Sequence, residues 1–195
     1  PVAAPLVVGV LPSLATDMLS GWMAAWRGDR SLVLTEGTDA ELRKRLSDGQ
    51  LDAAITLLRP EEGERPSLEL FEGPYVLMLA DSHPLAGAEM VEAAPDPGEA
   101  RTPRGSGEIL SETSRWFPQR GVRPPFFMRS ANEDRCMEMV RIGMGVTTAP
   151  ASLARPGISA VPLSGYASRR HIGLLLPRDH AGKASDHPIA QALLA

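Results

Sequence analysis

Apolar and polar positions alternate between two kinds of segment along this chain. Leu6-Val-Val-Gly-Val-Leu11 is a short, continuous apolar run with β-branched content, the pattern of a strand covered on both faces. Pro12-Ser13 interrupts it, and Leu14, Met18, Leu19, Trp22, Met23 and Trp26 then recur at a helical period. Gly28-Asp29 closes that helix. Leu32 to Leu34 reads as a second strand. After it, Thr38 and Glu41 have capping-box spacing, in which each side chain satisfies a free backbone N–H. Leu42 and Leu46 lie one turn apart on the helix so opened, Glu41 and Arg45 can pair across the same interval, and Gly49 stops it. Leu51 to Leu58 is a third apolar run. Strand, helix, strand, helix, strand is the start of an α/β sheet with parallel crossovers.

Leu68 to Phe71 and Tyr75 to Ala80 read as two further strands joined at Gly73-Pro74. The pattern then breaks. Residues 87–107 contain four Gly and three Pro with little periodicity, which suggests a loop-rich crossing into a second lobe. Beyond it the expected elements are a helix over Ile109–Gln119, a short strand at Pro124–Met128 and a helix opened by a second capping box, Ser130 with Glu133. That helix carries Met137, Val140 and Met144. Strands are expected at Gly145–Ala149, Ile158–Leu163 and His171–Pro177, and a last helix at Asp186–Leu194.

Charge narrows the functional classes. The formal net charge is −4 and the basic residues are interspersed with acidic ones, so the chain has no nucleic-acid face of its own. No apolar run reaches membrane-spanning length, and the first residues lack the features of a signal peptide. The single cysteine, Cys136, permits no intrachain disulfide and indicates a reducing, cytoplasmic setting. Its plain reading is a small buried apolar side chain; a redox sensor would need exposure, a low pKa and usually a second thiol.

No catalytic signature is present. Walker, dinucleotide-glycine, nucleophile-elbow and paired-His zinc patterns are all missing, and Gly105-Ser-Gly107 is only a fragment. No catalytic residue, metal ligand or cofactor is therefore expected, and His180 and His187 read as part of a solvated tail. The more telling features are three apparent helix starts near Ser13, Ser106 and Ser130. Free N–H groups and a partial positive charge at such starts suit an anion. Each serine also has a plain reading as an N-cap. Trp22 and Trp26 share a helix face that suits either the core or an interface.

Several ordered motifs resemble the effector domains of LysR-type transcription regulators. These are Leu6 to Ser13, Leu34-Thr-Glu-Gly-Thr-Asp-Ala-Glu-Leu42 followed by Gly49-Gln-Leu-Asp52, Asp81-Ser-His-Pro-Leu-Ala86, and Arg141-Ile-Gly-Met-Gly-Val146 with Ala149-Pro-Ala-Ser-Leu153. The resemblance implies a periplasmic-binding-protein-like fold of the second type, two α/β lobes joined by two crossing strands. Lobe I would hold residues 1–82 and 166–195, and lobe II residues 83–165. It further implies a small, anionic effector bound between the lobes by Pro12, Ser13, Thr38, Thr56, Arg104, Ser106, Ser130 and Thr147. A homodimer through Trp22 and Trp26 is implied too, with DNA contacted only by an N-terminal winged helix-turn-helix outside this chain. The competing readings are a transporter's solute-binding protein, and an enzyme of the same fold acting on a small acid.

Overall fold

The structure, a computed structural model, describes residues 3–63, 65–92, 102–104, 118–121, 123, 125–130 and 132–194. The chain divides into two units. Unit 1 comprises residues 1–72 and 170–195, and unit 2 residues 73–169.

In unit 1, β1 (Leu6–Val10), β2 (Leu32–Glu36) and β3 (Ala53–Leu57) are parallel, with β1 central, and β9 (Arg169–Leu175) runs antiparallel to β3. The helical crossovers are α1 (Thr16–Ala25) and α2 (Asp39–Ser47). The α2 boundaries are those expected from sequence. Thr38 Oγ1 accepts from the Glu41 amide, and Glu41 accepts from the Thr38 amide at 2.8 Å. At the other end Gly49 has a φ of 71°, and the Gly49 and Gln50 amides bond back to Leu46 and Arg45. That left-handed closure favours a residue with no Cβ. Gly9 serves a different purpose. A Cβ there would fall 2.6 Å from Leu42 and 2.7 Å from Leu51, so its absence lets α2 lie close against β1. The core gathers Val8, Val10, Leu42, Leu46, Ile55, Ile172, Leu174 and the final helix α4 (Pro188–Leu193) through Ile189 and Leu193.

In unit 2, the second half of β4 (Ser67–Ala80) pairs antiparallel with β7 (Thr147–Pro150) on one edge and β8 (Ile158–Val161) on the other. A second small sheet pairs β5 (Thr102–Arg104) in parallel with β6 (Phe126–Arg129). Leu77, Leu79, Val91, Val146, Val161 and Leu163 form the core. α3 (Glu133–Arg141) buries Cys136, Met137 and Val140.

Several expectations change. The two strands anticipated around Gly73-Pro74 are one strand of 14 residues. Extended backbone suits both proline and the residue before it, so the pair does not end the strand. The boundaries expected at 82/83 and 165/166 move. The division falls between Glu72 and Gly73, inside β4, and between Arg169 and Arg170, at the start of β9. α3 is capped by Asn132, whose side chain accepts from the Arg135 amide at 2.8 Å, and the proposed Ser130/Glu133 capping box is not formed. Ser130 sits two residues before that cap and accepts instead from the Asn132 amide. The helix expected over 109–119 falls almost wholly outside the described residues.

Candidate functional site

The carboxyl ends of β1 and β3 are built from sequence signals already noted. β1 is held on both sides at its end, where the Leu11 amide donates to Ile55 and the Gly37 amide donates to Val10. Pro12 has no N–H to continue the ladder, and the chain turns so that the Leu14 amide reaches Leu11. This turn drives Ser13 inward to 4% exposure. α1 does not start at Ser13 as expected. Its N-cap is Ala15, with no side-chain cap, so Ser13 is released for another partner.

That partner is Arg170, which the sequence reading missed. Its side chain enters from the start of β9 at 3% exposure. Nη1 donates to Ser13 Oγ at 2.9 Å and Nη2 to the Ser13 carbonyl at 3.1 Å. The guanidinium carbon lies 6.0 Å from the Phe71 ring centroid, within cation–π range. A buried cation is thus bonded to the turn that follows a central parallel strand. The only advance sign was Arg169-Arg170 opening an otherwise apolar strand.

Thr56 and Thr38, expected to meet a ligand, are engaged elsewhere. The Thr56 hydroxyl, fully buried at the end of β3, donates to Asp39 Oδ1 at 2.8 Å. Asp39 also accepts from Arg43 Nε at 2.8 Å and pairs with Arg59. Arg43 continues the network to Glu62 and to the Leu57 carbonyl. Burial disfavours both Arg43 and Glu62 as ions, but their mutual hydrogen bonds and charges outweigh it. Arg43 is held above and Glu62 below its ordinary pKa. Thr38 closes the α2 cap, and its hydrogen bonds lower the Glu41 pKa. The structure thus brings Pro12, Ser13 and Arg170 together at one loop, while Thr56 and Thr38 belong to the neighbouring Asp39 network and cap.

The residues expected from unit 2 have the following places within that unit. Thr147 is buried at the start of β7, opposite Met78. Ser130 follows β6. Arg104 lies in β5, opposite Arg129. Ser106 lies outside the described residues. Trp22 and Trp26 are half-buried against the unit 1 core, and Trp26 Nε1 donates to the Arg30 carbonyl at 3.1 Å.

Other chemistry-bearing groups are accounted for locally. Cys136 is buried, and desolvation with the Glu133 charge pushes its thiol pKa up to about 11. His187 is not in a solvated tail: it is buried, and its Nδ1 caps α4 by accepting from the Ile189 amide. Its ring stacks edge-on against His180 at 5.5 Å in a cavity of about 560 Å³ at the amino ends of β1 and β3. Among the described residues, no group of three or more His, Cys, Asp or Glu side chains is placed to hold a metal ion. No described helix is long and apolar enough to cross a membrane.

Comparison with known proteins gives consistent results. The hydrogen peroxide-inducible genes activator of Escherichia coli O6:H1 is 25% identical over 200 residues, covering 98% of this chain and 66% of the relative. The chain spans about half to two thirds of the length of the curated relatives it matches. The crystal structure of the reduced form of OxyR superposes with a TM-score of 0.73 at 25% identity, covering 97% of this chain and 93% of that one. The effector-binding domain of QuiR in complex with shikimate shares the fold, with a TM-score of 0.70 at 14% identity over 100% and 96% of the two chains. The model of the LysR substrate binding domain matches residues 2–194. This chain, with its parallel β1–β3 sheet and the β4 and β9 strands that link its units, belongs to the LysR substrate-binding domain family, whose fold is periplasmic-binding-protein-like of the second type.

Proposed function

We propose that this domain senses a small metabolite carrying an anionic group, and that the Ser13–Arg170 loop of unit 1 is where that group is recognised. The observation that carries the reading is the buried Arg170 guanidinium bonded to both oxygens of Ser13. In α/β sheets, ligands bind beyond the carboxyl ends of the strands, which is where this loop lies. A buried cation there attracts and orients an anion through a weakly screened field. The fold accommodates shikimate, a carboxylic acid, in QuiR. Binding would act by favouring one arrangement of the domain over another and so biasing an attached DNA-binding domain.

The reading is of a binding module and not an enzyme. Two carboxylates of unit 1, Asp39 beside the end of β3 and Glu62 after it, are committed to Arg43 and Arg59. A general acid or base needs a group free to exchange a proton. Nor is the signal peroxide, despite the names of several relatives. The thiolate is the reactive form, and Cys136, the only cysteine, is buried with its thiol strongly favoured. Homodimerisation through α1 is part of the proposal. Trp22 and Trp26 are only half covered, and Val33 and Leu34 stay exposed on the edge strand β2.

The test is a thermal-stability screen of the 195-residue chain against small mono- and dicarboxylic acids at constant ionic strength. A cognate acid at about 100 times its Kd should stabilise by about 2.7 kcal/mol. Uniform silence across acids, with a shift for neutral or cationic metabolites instead, would reject the anionic reading.

A further inference from the structure

Arg65 is a second buried cation in unit 1, and its situation differs from that of Arg170. It is 8% exposed. Its one side-chain hydrogen bond among the described residues is from Nη2 to Ser47 Oγ at 3.2 Å, and its Nε has no hydrogen-bond partner there. Buried charges are ordinarily neutralised by a partner. The obvious partner, Glu62, has both oxygens taken by Arg43, at 3.0 and 2.5 Å. Burial opposes the Arg65 charge, Arg178 and Arg43 add to that opposition, and Glu62 only partly relieves it. The residue lines a cavity of about 470 Å³ together with Lys183, Ser67 and Ser185. The described lining contains two cations and two hydroxyls but no carboxylate.

We propose that this cavity is an anion site separate from the Ser13–Arg170 loop, taking a small multiply charged oxyanion between Arg65 and Lys183. The anion supplies Arg65 with a counter-charge that, among the described residues, Glu62 only partly provides, and the Ser67 and Ser185 hydroxyls are the available neutral donors. The site lies where the chain enters β4 and where the loop after β9 returns, so occupancy ties these two segments together.

Calorimetric titration of the 195-residue chain with inorganic phosphate, and separately with inorganic sulfate, neither of them a carboxylic acid of the kind proposed for the first loop, tests this at constant ionic strength. Saturable binding of at least one is expected. Arg65→Gln should weaken it about tenfold or more, as loss of a charged hydrogen-bonding partner does. Lys183→Gln, a change at an exposed side chain, should weaken it several-fold, and Ser13→Ala should leave it unchanged. A second readout needs no ligand: Arg65→Met should raise the melting temperature in phosphate-free buffer, because it removes an uncompensated buried charge. Three outcomes overturn the proposal. They are no saturable binding of either anion, parental affinity in Lys183→Gln, and loss of binding in Ser13→Ala, which would place the anion at the first loop.

Discussion

Ser13→Ala removes one atom from the loop on which the proposed recognition depends, and its cost follows from the geometry. Arg170 Nη1 donates to that hydroxyl at 2.9 Å, with both residues almost fully buried. A hydrogen bond to a charged group contributes about 1.5–3 kcal/mol. Water has little access to either side chain, so the lost acceptor is poorly replaced, and the variant should lose roughly that amount. Arg170→Met alone is harder to read, since it discards more than the two hydrogen bonds to Ser13 and also relieves the cost of burying a charge. The double-mutant cycle removes that ambiguity. Coupling between Ser13→Ala and Arg170→Met should be about 1.5 kcal/mol or more, measured by urea unfolding. Tryptophan fluorescence in a Trp116→Phe background reports on unit 1 specifically, because Trp22 and Trp26 both belong to it. Coupling below about 0.5 kcal/mol would mean that the two residues act independently, and the reasoning from their contact would fail.

Three further outcomes follow from the same structure. Cys136 should resist thiol reagents in the folded chain at about pH 8 and react once in urea, and peroxide should leave the melting temperature unchanged; stoichiometric labelling of the native chain would contradict its burial. Burial, then the His180 charge, lower the His187 pKa, with Asp52 raising it and Arg30 lowering it. A folded value depressed below the unfolded value near 6.5 means that the unfolded chain binds the proton first. This contribution to stability is present above about pH 6.5 and is lost as pH falls from there toward the folded value. His187→Asn, which keeps a capping side chain, should flatten that acid slope in urea titrations; an unaltered slope would assign it to other groups. If α1 forms the proposed dimer interface, Trp26→Asp should yield monomers in sedimentation, and unchanged assembly would remove α1 from the interface.

The elements with local chemistry at their ends were legible in the sequence. Thr38 with Glu41 and the glycine at 49 fixed α2 because caps act over four residues and need nothing from the rest of the fold. The parallel order of β1 to β3 followed from their apolar runs and helical crossovers. What was hidden depended on distant partners. Thr56 reads as a ligand-facing hydroxyl, and nothing in its local sequence announces that Asp39, contributed by α2, accepts its hydrogen bond. Arg170, just before the strand expected at His171–Pro177, drew no reading at all, because its partner Ser13 is 157 residues away in sequence. The same holds for His187, whose tail-like neighbours conceal a helix cap. Ser130 and Asn132 are both good capping types, and the choice between them rested on where α3 begins.

The central claim is that Ser13 and Arg170 recognise an anionic group. The most direct measurement is calorimetric titration of the most stabilising acid from the screen into the parent chain, Ser13→Ala and Arg170→Gln. The account predicts about tenfold or greater loss of affinity in Arg170→Gln, a smaller loss in Ser13→Ala, and no binding of the uncharged amide of the same acid. Equal affinity across the three proteins, or undiminished binding of the amide, would contradict it.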